Sequence, residues 1–357
     1  MKKLEYFFKN LLLNLLLLIN KRKIHDFNNN DFTKILFIRL NRIGDALITT
    51  PLLHEVRSKL NTKIFVLADR KNYVAFNNNP DIDNLIIFEK GIKGFFSVIK
   101  LIREEKINTI VDTHDDISTT VSFLIALASS NNKFGLEKEN KNIFTKTIPQ
   151  LNRQNNHIIC RVLELTKLFN IEPDHVNTKV QYYPSNISLN KTKIFLENNN
   201  LQRKFLVGIN ISAGSIARFW GVDNYKKLLK YFSTFDVNII LLSSPFDIEI
   251  AKEICGYKYH YYLSNEFDEF AAMISELNFL FTPDTAAVHL ASAFRVSTFG
   301  VYVKYKTQDM IWSPYNTKFD CVITEEPNLE NVKFDQVIVK LKPFFEGLLV
   351  KDVQNKI

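Results

Sequence analysis

The sequence has few of the residues and motifs that define several common protein classes. Its three cysteines, Cys160, Cys255 and Cys321, are far apart and form no CxxC pair. Their number and spacing argue against a disulfide framework and a cysteine-based zinc site, and favour a reducing compartment. Neither GxGxxG nor GxxxxGK(S/T) occurs, so the dinucleotide-binding fingerprint and the Walker phosphate loop are both absent.

Long apolar runs are also missing. A helix needs about 20 apolar residues to cross a bilayer, whereas the longest unbroken apolar run near the N-terminus is Leu15–Ile19. Residues 1–23 are instead amphipathic with basic residues at both ends, which predicts an in-plane helix on an anionic membrane surface. The alternative is a helix packed against the protein or a second subunit. The apolar face consists of Leu4, Phe7, Phe8, Leu11, Leu12, Leu15, Leu18 and Ile19.

Acidic residues are outnumbered by basic ones, which gives a net charge of +8 and a pI of about 9.1. This excess favours an anionic partner, either nucleic acid, a phosphorylated small molecule or an anionic membrane. The chain has no DNA- or RNA-binding motif, and much of its positive charge is spread out or flanks residues 1–23. We therefore expect no nucleic-acid partner. Hydrophobic residues make up 46% of the chain, as in folded soluble proteins, and its length fits two domains.

Strand and helix patterns alternate in two series along the chain. Such alternation predicts parallel sheets with helices on both faces, and therefore an α/β protein with two Rossmann-like domains facing across a cleft. Residues 131–180 are less regular, and the last helix, Val332–Leu349, is expected to kink or break near Pro343. The predicted strands are Lys34–Leu40, Lys63–Ala68, Asn84–Phe88, Asn108–Val111, Phe205–Ile211, Val237–Leu242, Tyr257–Leu263, Phe279–Thr282 and Val296–Tyr302.

Polar segments set the predicted boundaries. Residues 25–31 are rich in asparagine, and Gln181–Asn186 contains a proline between the two series. The predicted divisions are an amphipathic helix and linker at 1–30, an N-terminal domain at 31–183, a C-terminal domain at 184–345 and a tail at 346–357.

A strand, a tight elbow and a helix open the first series. Lys34–Leu40 is an apolar strand, Asn41–Asp45 is a polar elbow with one glycine, and helical spacing starts at Ala46. This unit is the one from which nucleotide-using α/β domains are built, and it places Arg42 and Asp45 at the carboxyl edge of the first strand. A purely structural role for Asp45 is that of the N-cap of the helix.

The second series contains a similar edge at FLFTPDTAAVHLASAF. The predicted strand Phe279–Thr282 runs into Pro283. Asp284 or Thr285 can cap a helix that opens at about Ala286, and the free amides of that helix make an anion site. His289 lies one turn into the helix on the side of the same mouth. The structural alternative is simple capping with a satisfied, partly buried histidine.

A third candidate is the small-residue turn Ser212–Ser215, which follows a strand. Gly214 allows close approach of a phosphate, and Arg218 has a guanidinium suited to bidentate phosphate contact. The alternative is an ordinary loop with a surface arginine.

The run Asp112–Asp116, with His114 and Asp115 at its centre, has the composition of a metal site. It lacks a second set of ligands elsewhere, so we expect no metal there. Its position after a strand makes it a wall of an acceptor pocket.

Taken together, these stretches resemble glycosyltransferase family 9, the ADP-heptose:lipopolysaccharide heptosyltransferases, over roughly residues 33–345. The resemblance rests on the order and spacing of several short motifs. They are Arg39, Gly44–Asp45 and Thr49–Pro51; Gly214 with Arg218–Trp220; Asp284–His289, which matches D-T-G-x-x-H except at Ala286; and Phe299–Gly300 followed by Trp312–Tyr315.

The resemblance implies a GT-B fold with acceptor bound mainly by the first domain and the nucleotide sugar by the second. It also implies inverting transfer without a metal or other cofactor, with Asp45 as general base and Arg218 on the donor diphosphate. The cleft is expected to close to unite them. The predicted donor-binding residues are Ser212, Gly214, Arg218, Asp284, Thr285, Ala286 and His289, and the predicted acceptor-binding residues are Asn41, Arg42, His114 and Asp115.

The predicted function is transfer of heptose, or a related sugar, from ADP-heptose to lipopolysaccharide core or another surface glycan. We expect an anionic glycolipid acceptor and a peripheral location on the cytoplasmic face of the inner membrane. Ala286 and Arg218 stand where the family usually has Gly and Lys, which leaves a hexosyltransferase for capsule or O-antigen with another nucleotide donor as an alternative. A non-catalytic glycan- or nucleotide-binding protein is a further alternative, against which intact Asp45, Asp284 and His289 argue.

Overall fold

A computed structural model describes residues 32–355. The chain divides into two compact units between Thr178 and Lys179, a few residues before the predicted boundary at 183. The amphipathic helix predicted for residues 1–23 lies outside the described residues. Across those residues, no helix combines the length and the apolarity that a bilayer crossing requires.

The first unit is an α/β layer structure around one parallel sheet. Its strands are β1 (Lys34–Arg39), β2 (Lys63–Asp69), β3 (Asn84–Phe88), β4 (Thr109–Asp112), β5 (Asn132–Leu136) and β6 (Lys146–Ile148). Its α-helices are α1 (Ile43–Leu47), α2 (Thr50–Lys59), α3 (Ile92–Glu104), α4 (Thr119–Leu127) and α5 (Ile158–Leu163). Short 3₁₀ helices occupy Tyr73–Phe76, Lys141–Ile143 and Glu164–Phe169.

The strand order in this sheet is β3-β2-β1-β4-β5-β6. β1 pairs in parallel with both β2 and β4. β2 and β3 lie on one side of β1 and β4 to β6 on the other, so the strand order reverses between β1 and β4. This is a doubly wound sheet, in which ligands bind at the carboxyl edge where the order reverses. The central strands β1, β2 and β4 carry fully buried apolar side chains because helices cover both faces of the sheet.

The second unit repeats this architecture. Its strands are β7 (Leu206–Asn210), β8 (Asn238–Ser243), β9 (His260–Leu263), β10 (Phe279–Pro283), β11 (Ser297–Val303) and β12 (Phe319–Thr324). Its α-helices are α6 (Asn186–Asn198), α7 (Val222–Phe232), α8 (Ile248–Cys255), α9 (Phe267–Ser275), α10 (Ala286–Phe294) and α11 (Phe334–Asn355). Two 3₁₀ helices lie at Ile216–Arg218 and Pro245–Asp247.

The second sheet has the same order, β9-β8-β7-β10-β11-β12, so its point of reversal lies between β7 and β10. An aromatic-rich core packs under it. The ring of Phe345 on α11 lies 4.8 Å from that of Phe232 and 5.1 Å from that of Phe279, with the edge-to-face geometry that aromatic pairs prefer.

Of the kink or break predicted near Pro343, the break was wrong, because α11 runs through this residue. Pro343 lies on the exposed side of the helix, whereas Leu341 and Phe345 on either side of it are fully buried in the core. Their packing holds the helix together across the hydrogen bond that the proline cannot donate.

Candidate active site

Asp45 lies at the carboxyl end of β1, inside the first turn of α1. The helix starts at Ile43, so the predicted start at Ala46 was wrong and Asp45 is not the N-cap. Its Oδ2 accepts the backbone N–H of Arg42 at 3.3 Å, which stabilises this earlier start, and its Oδ1 is 2.9 Å from Nη2 of Arg39. The Asp45 side chain is 13% exposed. Its carboxylate is therefore held from two sides and still reaches solvent.

Arg39 fixes the orientation of the Asp45 carboxylate. It is the last residue of β1, and its side chain is fully buried. Its guanidinium also donates a hydrogen bond to the backbone carbonyl of Thr113, just after β4. A buried guanidinium requires a charged partner, which Asp45 supplies. Arg39 thus joins the ends of β1 and β4 at the point where the strand order reverses.

His114 is part of a buried polar cluster at the ends of β1 and β4. Its Nε2 accepts the backbone N–H of Leu40 at 3.0 Å, and its Nδ1 is 2.7 Å from Asp112. Lys138 donates to the other oxygen of Asp112 at 2.7 Å and to the carbonyl of His114. Both ring nitrogens are therefore occupied, and the network assigns the proton to Nδ1. The ammonium of Lys138 supplies the positive charge that this carboxylate needs.

The pKa values in this cluster follow from burial and charge. Burial lowers the pKa of His114, and the attraction of Asp112 offsets this effect only in part. Burial alone would raise the pKa of Asp112, but Lys138 and His114 hold it well below its usual range. His114 is thus neutral and Asp112 is ionised at neutral pH.

The other predicted acceptor residues differ in their access to solvent. Asn41 and Arg42 are exposed beside Asp45. The side chain of Asp115 is 10% exposed, and its Oδ2 lies 3.7 Å from Arg161 and 4.0 Å from Arg153. Asn41 and Arg42 can therefore meet a ligand directly, whereas Asp115 is engaged by two arginines.

Asn210 joins the strands at the corresponding point of the second unit. It ends β7 and is fully buried, and its side-chain amide donates to Thr282 Oγ1 at 3.0 Å and to Thr285 Oγ1 at 3.4 Å. Its Oδ1 accepts the N–H of Ser212 at 3.1 Å. Sequence reasoning missed Asn210, although an asparagine at the end of an apolar strand is itself a signal of such a polar contact.

The amino end of α10 forms the centre of the predicted donor site. Thr285 is the N-cap, and its Oγ1 accepts the N–H of Ala287 at 3.2 Å. Asp284 lies just before it and pairs with Arg218 at 3.1 Å. Both side chains are partly exposed, 34% for Arg218 and 25% for Asp284. A helix dipole, first-turn amides and a guanidinium therefore converge at one accessible edge, where an anion would be stabilised.

A buried tryptophan anchors the loop that carries Arg218. Trp220 is 1% exposed, its Nε1 donates to the carbonyl of Val332 at 2.7 Å, and its ring packs on Phe281. Gly214, at the exposed turn of the loop, has a φ of +63° that favours glycine. The loop is thus fixed at its carboxyl end by Trp220, and Gly214 at its exposed turn has no side chain.

Asp247 extends this edge towards β8 and was not predicted as a site residue. Its Oδ2 accepts hydrogen bonds from Ser212 Oγ at 2.6 Å and Ser244 Oγ at 2.7 Å. The loops after β7 and β8 are therefore joined through the predicted donor residue Ser212. The signal was available in the sequence, because an acidic residue after the second strand of a Rossmann unit is typical of ribose recognition.

His289 lies in α10, is 3% exposed and packs with its ring centroid 6.1 Å from that of Trp312. The loop that carries Trp312 is fastened to the same helix by Ser292, whose Oγ donates to the carbonyl of Tyr315 at 2.8 Å. The two motifs D-T-A-A-V-H and W-S-P-Y are therefore brought together, and His289 is buried against Trp312.

Residues 95–341, more than half of the chain, match the family Glycosyltransferase family 9 (heptosyltransferase). The chain belongs to glycosyltransferase family 9. A protein of Escherichia coli K12, provisionally named lipopolysaccharide heptosyltransferase 4, is 22% identical to this glycosyltransferase over 315 residues, which cover 85% of this chain and 84% of that protein.

Solved structures match the fold of this glycosyltransferase along most of its length. The family 9 glycosyltransferase of Veillonella parvula has a TM-score of 0.75 and 18% identity, and the match covers 90% of this chain and 99% of that one. The ADP-heptose lipopolysaccharide heptosyltransferase II of E. coli has a TM-score of 0.68 and 16% identity, with coverage of 90% and 100%. The predicted α/β fold of the GT-B type is therefore confirmed.

Proposed function

We propose that this enzyme is an inverting, metal-independent heptosyltransferase that uses ADP-heptose and extends lipopolysaccharide core or another surface glycan. The observation that carries the proposal is the pair of sites at the two points of strand reversal. One presents a carboxylate held by a buried arginine, Asp45 on Arg39, and the other presents Arg218 at the amino end of α10. The proposed reaction uses groups from both units.

Asp45 is the proposed general base. An acceptor hydroxyl that attacks the anomeric carbon must lose its proton, and a positioned carboxylate accelerates such a step by roughly 10²–10⁴-fold. The two contacts from Arg39 and the Arg42 amide leave the exposed part of the Asp45 carboxylate for that hydroxyl. Exposed Asn41 and Arg42 would contact the acceptor beside it, while His114 and Asp115 would support the floor of the acceptor site.

The leaving diphosphate gains negative charge as the glycosidic bond to the nucleotide breaks. The positive end of α10 and the guanidinium of Arg218 are preorganised to stabilise this charge. The contact with Asp284 holds Arg218 in place, and its remaining donors can meet phosphate oxygens. Gly214 and Ala286 would lie against the diphosphate. The guanidinium of Arg218 and the dipole of α10 would together provide the positive charge that a metal ion supplies in other transferases.

Asp247 extends the proposed donor site beyond the diphosphate. β10, β7 and β8 are neighbours in the sheet, so the α10 terminus, the Ser212 turn and Asp247 follow one another along its edge. Strands are spaced about 4.8 Å apart, so a nucleotide whose diphosphate lies at the α10 terminus would extend past the Ser212 turn towards Asp247. We assign the ribose hydroxyls to Asp247, as in other Rossmann sites.

The proposed partners are a nucleotide sugar and an anionic glycolipid at the cytoplasmic face of the inner membrane. The alternative is a hexosyltransferase with another nucleotide donor, favoured by Ala286, whose methyl group narrows the space at the helix terminus, and by Arg218 in place of lysine.

A donor panel tests the proposal directly. Thermal unfolding and transfer or hydrolysis should be measured with ADP-heptose, ADP-glucose, UDP-glucose and GDP-mannose. We expect the largest stabilisation and turnover with ADP-heptose. A response confined to a UDP- or GDP-sugar would replace heptose transfer by hexose transfer, and no response to any nucleotide sugar would refute the proposed function.

A further inference from the structure

The first two turns of α3 expose large apolar side chains although the inner face of the helix is already buried. Val98 and Ile102 pack into the core of the first unit, whereas Ile92 is 78% and Phe96 59% exposed. Ile92 and Phe96 are four residues apart and therefore neighbours on the outer face. A helix that is apolar on two faces has an unpartnered surface.

The orientation of this outer face is fixed by close packing. A Cβ at Gly94 would lie 1.7 Å from the carbonyl oxygen of Glu89, so the first turn rests directly on the segment that follows β3. Only glycine allows this approach. Ile92 and Phe96 consequently point outward as part of a rigid element.

Basic side chains surround the two apolar ones. Lys93, Phe96 and Lys100 are spaced three and four residues apart, so they form one stripe on the helix surface. Lys90 and Lys100 are 72% and 74% exposed. The nearby acidic residues form ion pairs with basic ones, in the contacts Asp69–Lys90, Glu89–Arg70, Glu104–Lys100 and Glu105–Lys34. Lys90 and Lys100 thus each have a carboxylate partner, and both stay exposed to solvent, as does Lys93.

The position of the patch relates it to the acceptor site. α3 follows the carboxyl end of β3, so its first turn lies at the same edge of the sheet as Asp45. Ile117, which is 40% exposed just before α4, lies at this edge too, and α3 and α4 pack side by side.

We propose that Ile92 and Phe96, with Lys90, Lys93 and Lys100, form a docking patch that seats the first unit on an anionic lipid surface. Aromatic and aliphatic side chains enter the acyl boundary while lysines contact anionic headgroups. The inference rests on the membrane-bound acceptor of the proposed function. It adds a contact separate from residues 1–23 and brings the acceptor edge of the sheet to the bilayer.

Tryptophan substitution tests the patch in the full-length chain. The variant Phe96→Trp should be mixed with phosphatidylcholine vesicles with or without phosphatidylglycerol. The control is Ile194→Trp, which replaces an exposed residue of α6 in the second unit. We expect the emission of Phe96→Trp to shift to the blue only with phosphatidylglycerol, and that of Ile194→Trp to stay unchanged. Equal spectra of Phe96→Trp with and without anionic vesicles would overturn the proposal.

Sedimentation with the same vesicles measures the contribution of the patch. The double variant Ile92→Ser/Phe96→Ser should partition about tenfold more weakly, because two apolar side chains no longer leave water. Ile187→Ser/Ile194→Ser, in which both replaced residues are also exposed, should partition like the parent chain. Equal partitioning of both double variants would overturn the proposal and leave residues 1–23 as the contact.

A separate readout keeps this inference apart from the proposed function. Stabilisation by ADP-heptose should be the same in Ile92→Ser/Phe96→Ser and the parent. If the parent does not respond to ADP-heptose, the donor assignment fails, and the vesicle measurements still decide whether the patch binds lipid.

Discussion

Asp45 is the side chain on which the proposed chemistry depends most. Asp45→Asn should lower kcat at least about 100-fold, because the amide cannot take up the proton of the acceptor hydroxyl. Its Oδ1 can still accept from Arg39, so the fold should persist, as circular dichroism would check. Asp236→Asn is a suitable control, since Asp236 is 84% exposed and pairs with Lys204 at the surface before β8. Near-normal turnover of Asp45→Asn would remove it as the base.

His114 should make the stability of the first unit depend on pH. Its pKa is lowered in the folded protein, so the unfolded chain binds the proton first as the pH falls. The folded state is therefore fully stable above the unfolded pKa of about 6.5 and loses stability below it, by at most about 1.4 kcal/mol per pH unit.

The variant His114→Gln isolates this effect, because its amide can accept from Leu40 and donate to Asp112 without titrating. Urea unfolding between about pH 7 and pH 5 should show a shallower loss of stability in the variant than in the parent. Identical slopes in the two proteins would mean that His114 does not carry the predicted proton linkage.

Gly300 is required by the packing between strands β11 and β12. A Cβ at this position would lie 2.2 Å from the ring of Tyr302, which itself packs edge-on against Phe319. We expect Gly300→Ala to lower the free energy of unfolding by about 1–3 kcal/mol, the usual cost of overpacking. The double variant Gly300→Ala/Tyr302→Ala should be less destabilised than the sum of its two single variants, because the added methyl group no longer meets the Tyr302 ring. Purely additive effects would contradict the clash.

Most strands and helices could be predicted from their apolar patterns, because buried parallel strands are short apolar runs and the helices repeat every three to four residues. The strand Asn84–Phe88 has the predicted bounds. β5, β6 and β12 were missed. β6 (Lys146–Ile148) has only three residues and is partly exposed at the sheet edge. β12 is half-buried except at exposed Ile323, so neither strand is buried as a central strand is.

The candidate site was predictable where the residues follow one another and not where the sheet brings them together. Asp45 and Thr285 stand directly after strands and belong to recognisable motifs. Asp247 reaches Ser212 from the segment after the neighbouring strand β8, and Lys138 reaches Asp112 from the segment after the neighbouring strand β5. Such contacts depend on strand order, which no single segment contains.

For the molecule as a whole, the two units should respond differently to a nucleotide. Both tryptophans, Trp220 and Trp312, belong to the second unit and lie beside the proposed donor site. Tryptophan emission should therefore follow unfolding of this unit, while circular dichroism follows both. ADP at about 100 times its Kd should stabilise the emission transition by about 2.7 kcal/mol. A transition that ADP leaves in place would contradict donor binding by the second unit.

Each sheet is also continuous along the chain, since β1–β6 all precede Thr178 and β7–β12 all follow it. Parallel pairing joins residues far apart in sequence, as Ile35 with Thr109, so folding of each sheet must wait for long segments to be available. On the ribosome, the first sheet can nonetheless be completed before the second is synthesised. The order of synthesis thus keeps the unpaired strand edges of the two similar sheets from being exposed at the same time, when they could pair with each other wrongly.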